Sequence, residues 1–325
     1  MTATLERSSV RRGHRLALPL LAAAFVVSCL LALAIGAYAI GVSDAIAALW
    51  RSITGQPLTV ADSVIVDIRA PRVALAVIVG ASLATAGVVM QGIFANPLAE
   101  PGLVGVSSGA AVAAVVAIVL GLTAIGFWVL PLAAMIGGLL VTAGVYVMAR
   151  VGGRTEVVTL ILTGVAVNAF AGALIGLLMS VSDDAELRSI TFWTLGSLSA
   201  ATWSTVLLVL PLAVVGLFLA PRLARSLDLL ALGENTAAHL GVDVEWLRKV
   251  AIVPHAIRLV LGPGHRLLLP ASALAGSTLL VLADLVARTV VAPREIPLGV
   301  LTALIGSPVF FLLLRREHRR RGAWA

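Results

Sequence analysis

"LRKVAIVPHAIRLVLGPGHRLLLP", residues 247–270, decides how often this chain crosses a membrane. Its longest run free of Asp, Glu, Lys and Arg is 250–257, and that run contains Pro254 and His255. An α-helix rises about 1.5 Å per residue, so the run reaches about 12 Å against a hydrocarbon core of about 30 Å. The stretch does not cross. On either side of it, however, the chain is apolar almost throughout.

Of the 325 residues, 60% are hydrophobic and 12% charged, and the mean hydropathy is +1.07. Soluble domains are about 45–50% apolar, so this composition is that of an integral membrane protein. Runs without Asp, Glu, Lys or Arg occupy 16–40, 73–94, 102–149, 157–182, 189–221, 267–283 and 296–314. The third is long enough for two crossings, with "GLTAIGFW" (121–128) supplying glycines for the connection. The fifth exceeds one span, so a crossing is placed at 203–220 with "TFWTLGSLS" as an interfacial lead-in. The reading is an all-α polytopic transmembrane bundle of eight crossings, one domain over 1–325. Residues 16–40 follow the basic "RRGHR" as a secretory signal would, but they exceed a typical signal core and are kept as a helix.

With the amino terminus in the cytoplasm, 17 of the 23 Lys and Arg fall inside and six outside. That asymmetry predicts that both termini are cytoplasmic. The net charge of +7 is thereby a topology signal, and nucleic-acid binding is excluded for so hydrophobic a chain. Cys29 is the single cysteine, so no disulfide forms within the chain. The five histidines lack zinc-ligand spacing, and no metal site is predicted.

Lys249 is the sole lysine, and it does not stand between a glycine and a Ser or Thr. A phosphate-cradling G-x-x-x-x-G-K-[ST] loop is therefore impossible. Energy for any pumping comes from a partner or an ion gradient. The apolar runs contain no ionisable group, which argues against ion coupling, since that usually places one at mid-membrane. Asp284 and Arg288, four apart, have the spacing of a helical ion pair or, less often, a proton relay.

Several longer motifs follow in order: "RAPRVALAVIVGASLATAGVVMQGIFANPLAEPGLVGVSSGAAVA" (69–113), "LDLLALGENTAAHLGVDVEWLR" (227–248), "PHAIRL" (254–259), "HRLLLPASALAG" (265–276), "LADLVAR" (282–288) and "REIPLGVLTALIGSPVFFLLLRR" (294–316). In this order and spacing the chain resembles the FecCD-type permeases of ABC importers for ferric siderophores, haem and vitamin B12. The resemblance covers about 16–316 and implies a bacterial inner-membrane, multi-pass subunit that pairs with a second permease, identical or not. It further implies two cytoplasmic ABC ATPase subunits and an extracytoplasmic substrate-binding protein. No cofactor is expected in this chain; ATP and Mg²⁺ belong to the ATPase.

"LGENTAAHLG" (232–241) reads as a short helix within a cytoplasmic segment spanning 222–266. The resemblance places Gly233, Glu234, Ala237, Ala238, Leu240 and Gly241 on the surface that docks into the ATPase. It makes Arg69, Arg72 and Arg288 docking residues for acidic side chains of the binding protein, where ordinary snorkelling at a membrane edge is the alternative. Asn96 and Pro97 fall in its helix-breaking loop. Asn168 lies on a pathway-lining helix, with an interhelical hydrogen bond as the equal alternative. The "GALIG" of the same run is a weak G-x-x-x-G match.

The family pattern has ten helices, two of which stand between the coupling segment and the "PHAIR" motif. Here "LRK" runs almost directly into "VAIVPHAIR". The expectation is the loss of one helical hairpin, which preserves the sidedness of the flanking motifs. A transport-inactive remnant and an ion-coupled secondary transporter are the competing readings.

Overall fold

The computed structural model describes residues 2–94, 96, 99–151, 154–230 and 265–322. Eleven α-helices are present among the described residues: α1 (Thr2–Ala34), α2 (Val42–Thr54), α3 (Val60–Ser63), α4 (Ala70–Ile93), α5 (Val106–Val119), α6 (Val129–Met148), α7 (Val157–Val181), α8 (Asp184–Leu195), α9 (Trp203–Leu230), α10 (His265–Thr289) and α11 (Leu298–Gly322). The only β-structure among those residues is a two-stranded antiparallel ladder, β1 (Arg150–Val151) with β2 (Arg154–Thr155). The all-helical expectation holds apart from that ladder.

Each of the eight anticipated crossings corresponds to a long or apolar helix. Six are long and apolar enough to span a bilayer, while α5 and the apolar part of α11, Leu298–Pro308, are shorter. At about 1.5 Å per residue α5 covers about 21 Å; the 3₁₀ turns Pro101–Val104 and Leu122–Ile125 extend the polypeptide at its two ends. The stretch 247–270, where a crossing was judged absent, lies outside the described residues up to 264.

Several helix ends differ from the sequence-based boundaries. The helix α9 continues ten residues beyond Ala220, because Leu223, Ala224, Leu227 and Leu230 are buried. Arg222 does not end it: the guanidinium donates to the Phe218 carbonyl at 2.6 Å and lies 3.6 Å over the Phe218 ring. The helix α10 passes Ala283 and reaches Thr289, since the charges of Asp284 and Arg288 are met inside the protein. Conversely α1 stops at Ala34 rather than near Ile40.

Composition alone also missed α2 and α8. The helix α2 buries Ala45 and Ala48 and ends at Gly55, whose left-handed φ of 69° is easy only for glycine. Arg51 on α2 grips Asp62 through Nε and Nη2 at 3.1 and 2.5 Å. Asp62 also closes a capping box with Thr59 at the start of α3. "TFWTLGSLS" is only partly a lead-in: its first five residues end α8, which starts from a second capping box, Asp183 with Glu186.

Packing centres on α4. In the span Val60–Ile93, 61% of the most apolar window is buried, against 17% for the corresponding windows of α1, α7 and α9, so α4 is the interior helix. Its main neighbour is α10, and the two backbones nearly touch where Gly80 meets Gly276. A Cβ on either glycine would stand 2.4 Å from the carbonyl oxygen of the other. Ser277 donates to the Val77 carbonyl at 2.9 Å beside the crossing. Small residues are the means of close helix approach in lipid, where no hydrophobic gain drives association.

The same device joins α5 to α6, where a Cβ on Gly137 would lie 2.4 Å from the Gly109 carbonyl oxygen. By contrast Gly172 and Gly176, the G-x-x-x-G match on α7, have open space around them within this chain. Two apolar cores cap the bundle. One gathers the end of α1, α2, the start of α4, the end of α10 and the start of α11. The other gathers the ends of α4, α6 and α9 with the starts of α7 and α10. The helix ends in each core are those that an alternating path of the chain through the bundle brings together.

Gly276→Ala is expected to lower stability by about 1–3 kcal/mol through overpacking against α4. Gly144→Ala, on a helix face with nothing within 4 Å, is expected to be neutral or slightly stabilising because Ala is the better helix former. Thermal denaturation of the purified protein in detergent compares the two.

Candidate functional site

At the end of the bundle where α1 stops and α10 ends, five charged residues far apart in sequence come together. Arg69 is the last residue of a π-helical turn, Val64–Arg69, that leads into α4. Its Nη1 donates to the Leu33 and Ala34 carbonyls at 2.7 and 2.8 Å, and its Nη2 to the Tyr38 carbonyl. A cation here satisfies the orphan carbonyls of α1 and opposes the negative end of its dipole. This is why α1 ends at Ala34. Gly36 makes room, since a Cβ there would meet Arg69 Nη2 at 2.6 Å.

Arg72, in the first turn of α4, is held by two carboxylates. Its Nε lies 2.9 and 3.0 Å from the oxygens of Asp284 on α10. Its Nη1 and Nη2 reach the two oxygens of Glu295, in the loop between α10 and α11, at 2.7 and 2.9 Å. Nη2 also sits 2.9 Å from Asp284 Oδ1. Both edges of the planar guanidinium are thus engaged in the bidentate manner that suits carboxylates. Arg288 donates to the Ala32 carbonyl of α1 and lies 3.7 Å from Asp284.

Arg69, Arg72 and Arg288 are expected to dock an acidic partner or to snorkel at a membrane edge. The structure sets all three at helix ends and buries them. Arg69 is 4% exposed and Arg72 8%, the Arg288 side chain is 10% exposed, and each is answered from within the chain. The expected Asp284–Arg288 pair is also secondary, because the nearer partner of Asp284 is Arg72. Buried ionisable groups do occur, but they lie near helix ends, in opposite-charge pairs or, for Arg69, on backbone carbonyls, unlike a solitary mid-membrane carboxyl. Glu295 carries no role in the sequence reading. Although it stands in the "REIPLG" motif, only the folded chain brings it to Arg72. The Arg72 hydrogen bonds hold its carboxyl below the ordinary value, against the opposing effect of partial burial.

A second polar cluster ties α7 to α5. Asn168 Nδ2 donates to the Gly102 carbonyl at 3.0 Å, and the Ser108 hydroxyl donates to Asn168 Oδ1 at 2.6 Å. One turn earlier on α7, Gly164 lies so close under the turn Pro101–Val104 that a Cβ would fall 1.8 Å from the Leu103 oxygen. Asn168 therefore makes the interhelical hydrogen bonds that its position allowed. Gly164 went unnoticed because a lone glycine in an apolar run has no local signature. In the helix-breaking loop, Asn96 receives a bond from Ala99 N–H at 3.1 Å and gives one to Gln91 O at 3.2 Å. Pro97 lies outside the described residues, as do Gly233, Glu234, Ala237, Ala238, Leu240 and Gly241.

An apolar cleft of about 410 Å³ runs between α4 and α9, lined by residues including Ile78, Ser82, Leu83, Leu212 and Gly216. Among the described residues no group of three His, Cys, Asp or Glu is placed to hold a metal ion.

Arg72→Met is expected to cost about 3–5 kcal/mol, because it strands the buried Asp284. Joining it to Asp284→Leu should recover part of the loss, and additive losses in the denaturation midpoints would contradict the coupling. Glu295, with its lowered pKa, contributes stability that is present above the ordinary carboxylate value and lost as pH falls through the lowered one. The stability difference between wild type and Glu295→Gln should accordingly vanish at the acid end of a pH series.

The chain matches the FecCD transport family over residues 24–253 and again over 251–316. It is 39% identical to the haemin transport system permease protein HmuU of Yersinia pestis over 336 positions, covering 94% of this chain and 98% of that relative. It is 43% identical over 290 positions to the cobalamin import system permease protein BtuC of Halobacterium salinarum, with 82% of this chain and 77% of that relative covered. With the Fe(3+) dicitrate transport system permease protein FecD of Escherichia coli the identity is 41%, covering 78% and 85%. A solved inward-facing structure described as a metal-chelate type ABC transporter superimposes with a TM-score of 0.77 at 32% identity, covering 92% of this chain and 98% of that one. The family match restarts at residue 251, inside the passage judged unable to cross. The haemin alignment is also longer than this chain, so that relative has residues without a counterpart here. Matched over most of its length on both sides of that restart, this protein belongs to the FecCD family of ABC transporter permeases.

Proposed function

We propose that this chain is the permease subunit through which a bacterial ABC importer moves a ferric siderophore or related iron chelate into the cell, using ATP hydrolysed by separate subunits. One observation carries the reading: family membership and a whole-chain fold likeness to a metal-chelate type transporter coincide. Relatives named for haemin, cobalamin and ferric dicitrate transport support a substrate of the metal-chelate kind. With Lys249 as its sole lysine the chain has no Walker-type loop, which fits a subunit driven by a partner.

In this reading a second permease subunit, identical or different, completes the pathway, and an extracytoplasmic binding protein delivers the substrate. The segment around Gly233, Glu234, Ala237, Ala238, Leu240 and Gly241 is the contact with the ATPase. Closure of the ATPase pair shifts that segment and biases the helices between two arrangements. The binding protein docks on the face carrying Arg69, Arg72 and Arg288, with attraction that weakens as salt rises. Both termini lie in the cytoplasm. The residues that this chain lacks relative to the haemin permease are taken as one helical hairpin ahead of "PHAIR".

Reconstitution in proteoliposomes with an ABC ATPase and a binding protein tests the proposal. ATP-dependent accumulation of a ferric chelate is expected, abolished when the ATPase is left out. A stable complex without uptake would make the chain a remnant. Uptake driven by a proton gradient with no ATPase present would make it a secondary transporter.

A further inference from the structure

The two carboxylates on Arg72 are not equivalent. Asp284 belongs to α10 and its side chain is 2% exposed, whereas the Glu295 side chain is 36% exposed. Glu295 also sits in a short loop whose backbone is fixed on both sides. Arg294 N–H donates to the Val291 carbonyl at 3.0 Å, and Ile296 N–H donates to the Ala287 carbonyl at 2.9 Å. Rotation of the Glu295 side chain therefore frees one edge of Arg72 without unfolding the loop. Asp284 continues to hold the other edge.

Charge sets what would follow. Within the cluster Arg72 meets both Asp284 and Glu295, Arg288 lies near Asp284, Arg69 sits on the α1 carbonyls, and Arg294, next in the chain to Glu295, is exposed. With Glu295 turned away, three clustered arginines are left with one carboxylate. The vacated edge would then present two parallel N–H donors, the geometry that binds a carboxylate in bidentate fashion.

We propose that Glu295 is an internal competitor for the docking partner: it occupies the outward edge of Arg72 until an acidic side chain of the extracytoplasmic binding protein displaces it. The proposal rests on the permease reading above and adds to it a regulated form of the docking surface. Docking becomes an exchange of one carboxylate for another around a guanidinium that α10 never releases. Affinity is thereby held down, which favours release of the binding protein after delivery. The exchange also explains how a nearly buried arginine serves a protein that arrives from outside.

The test measures binding to the permease in lipid nanodiscs, wild type against Glu295→Gln, using the purified binding protein that supports uptake and, independently, a hexaglutamate peptide. Removing the competing charge should tighten both by about three- to tenfold and steepen the salt dependence. Glu295→Asp, which keeps the charge but shortens its reach, should fall between the two and provides a measurement if the Gln variant does not fold. Binding by Glu295→Gln with none by wild type would also support the exchange. Equal or weaker binding by a folded Glu295→Gln, alongside measurable wild-type binding, would overturn the exchange and leave the permease reading standing. Absence of binding in every form would remove both the exchange and the docking face.

Discussion

The close crossing of α4 and α10 at Gly80 and Gly276 is the constraint on which the bundle depends. Two backbones this near leave no space for any side chain on the contact line, and in return they gain dispersion along the whole crossing together with the bond from Ser277 to the Val77 carbonyl. Because α4 is the interior helix, its distance from α10 also sets the room left for α1 and α9. The crossing fixes one thing more: the relative height of the two helices, and with it the meeting of Arg72 and Asp284.

That ionic contact is of a different kind from the packing that positions it. Removing two charges from water is costly, and the cost is recovered only where geometry is close and every donor is used. Here Arg72 is bound along both edges, while Arg69 and Arg288 satisfy carbonyl oxygens at the end of α1. One cluster therefore joins the ends of α1, α4 and α10 with the loop before α11. The Asn168 cluster is the corresponding tie between α7 and α5, made with neutral groups.

Much of this was legible in the sequence. Charge-free runs located the long helices, because a membrane crossing requires length and apolarity and both can be read locally. The passage around Pro254 and His255 reads as too short to cross, and the family match restarts there. Boundaries failed where a charge was read as an end: α9 runs past Arg222 and α10 past Asp284, since an aromatic ring, a carbonyl and an opposite charge were waiting in the folded protein. The amphipathic α2 and the capped α8 were missed because neither is a charge-free run.

What the sequence by itself determined was the membrane class, the helical content, the alternation of helix ends and the absence of a nucleotide-binding loop. Each follows from composition or local spacing. Only the tertiary structure decided the partners of the arginines. Arg72 and Glu295 are separated by more than two hundred positions, and whether a guanidinium at a helix end faces water or a carboxylate depends on which other helix end arrives beside it. That is fixed by the glycine crossing of α4 and α10, a property of two helices together that neither carries alone.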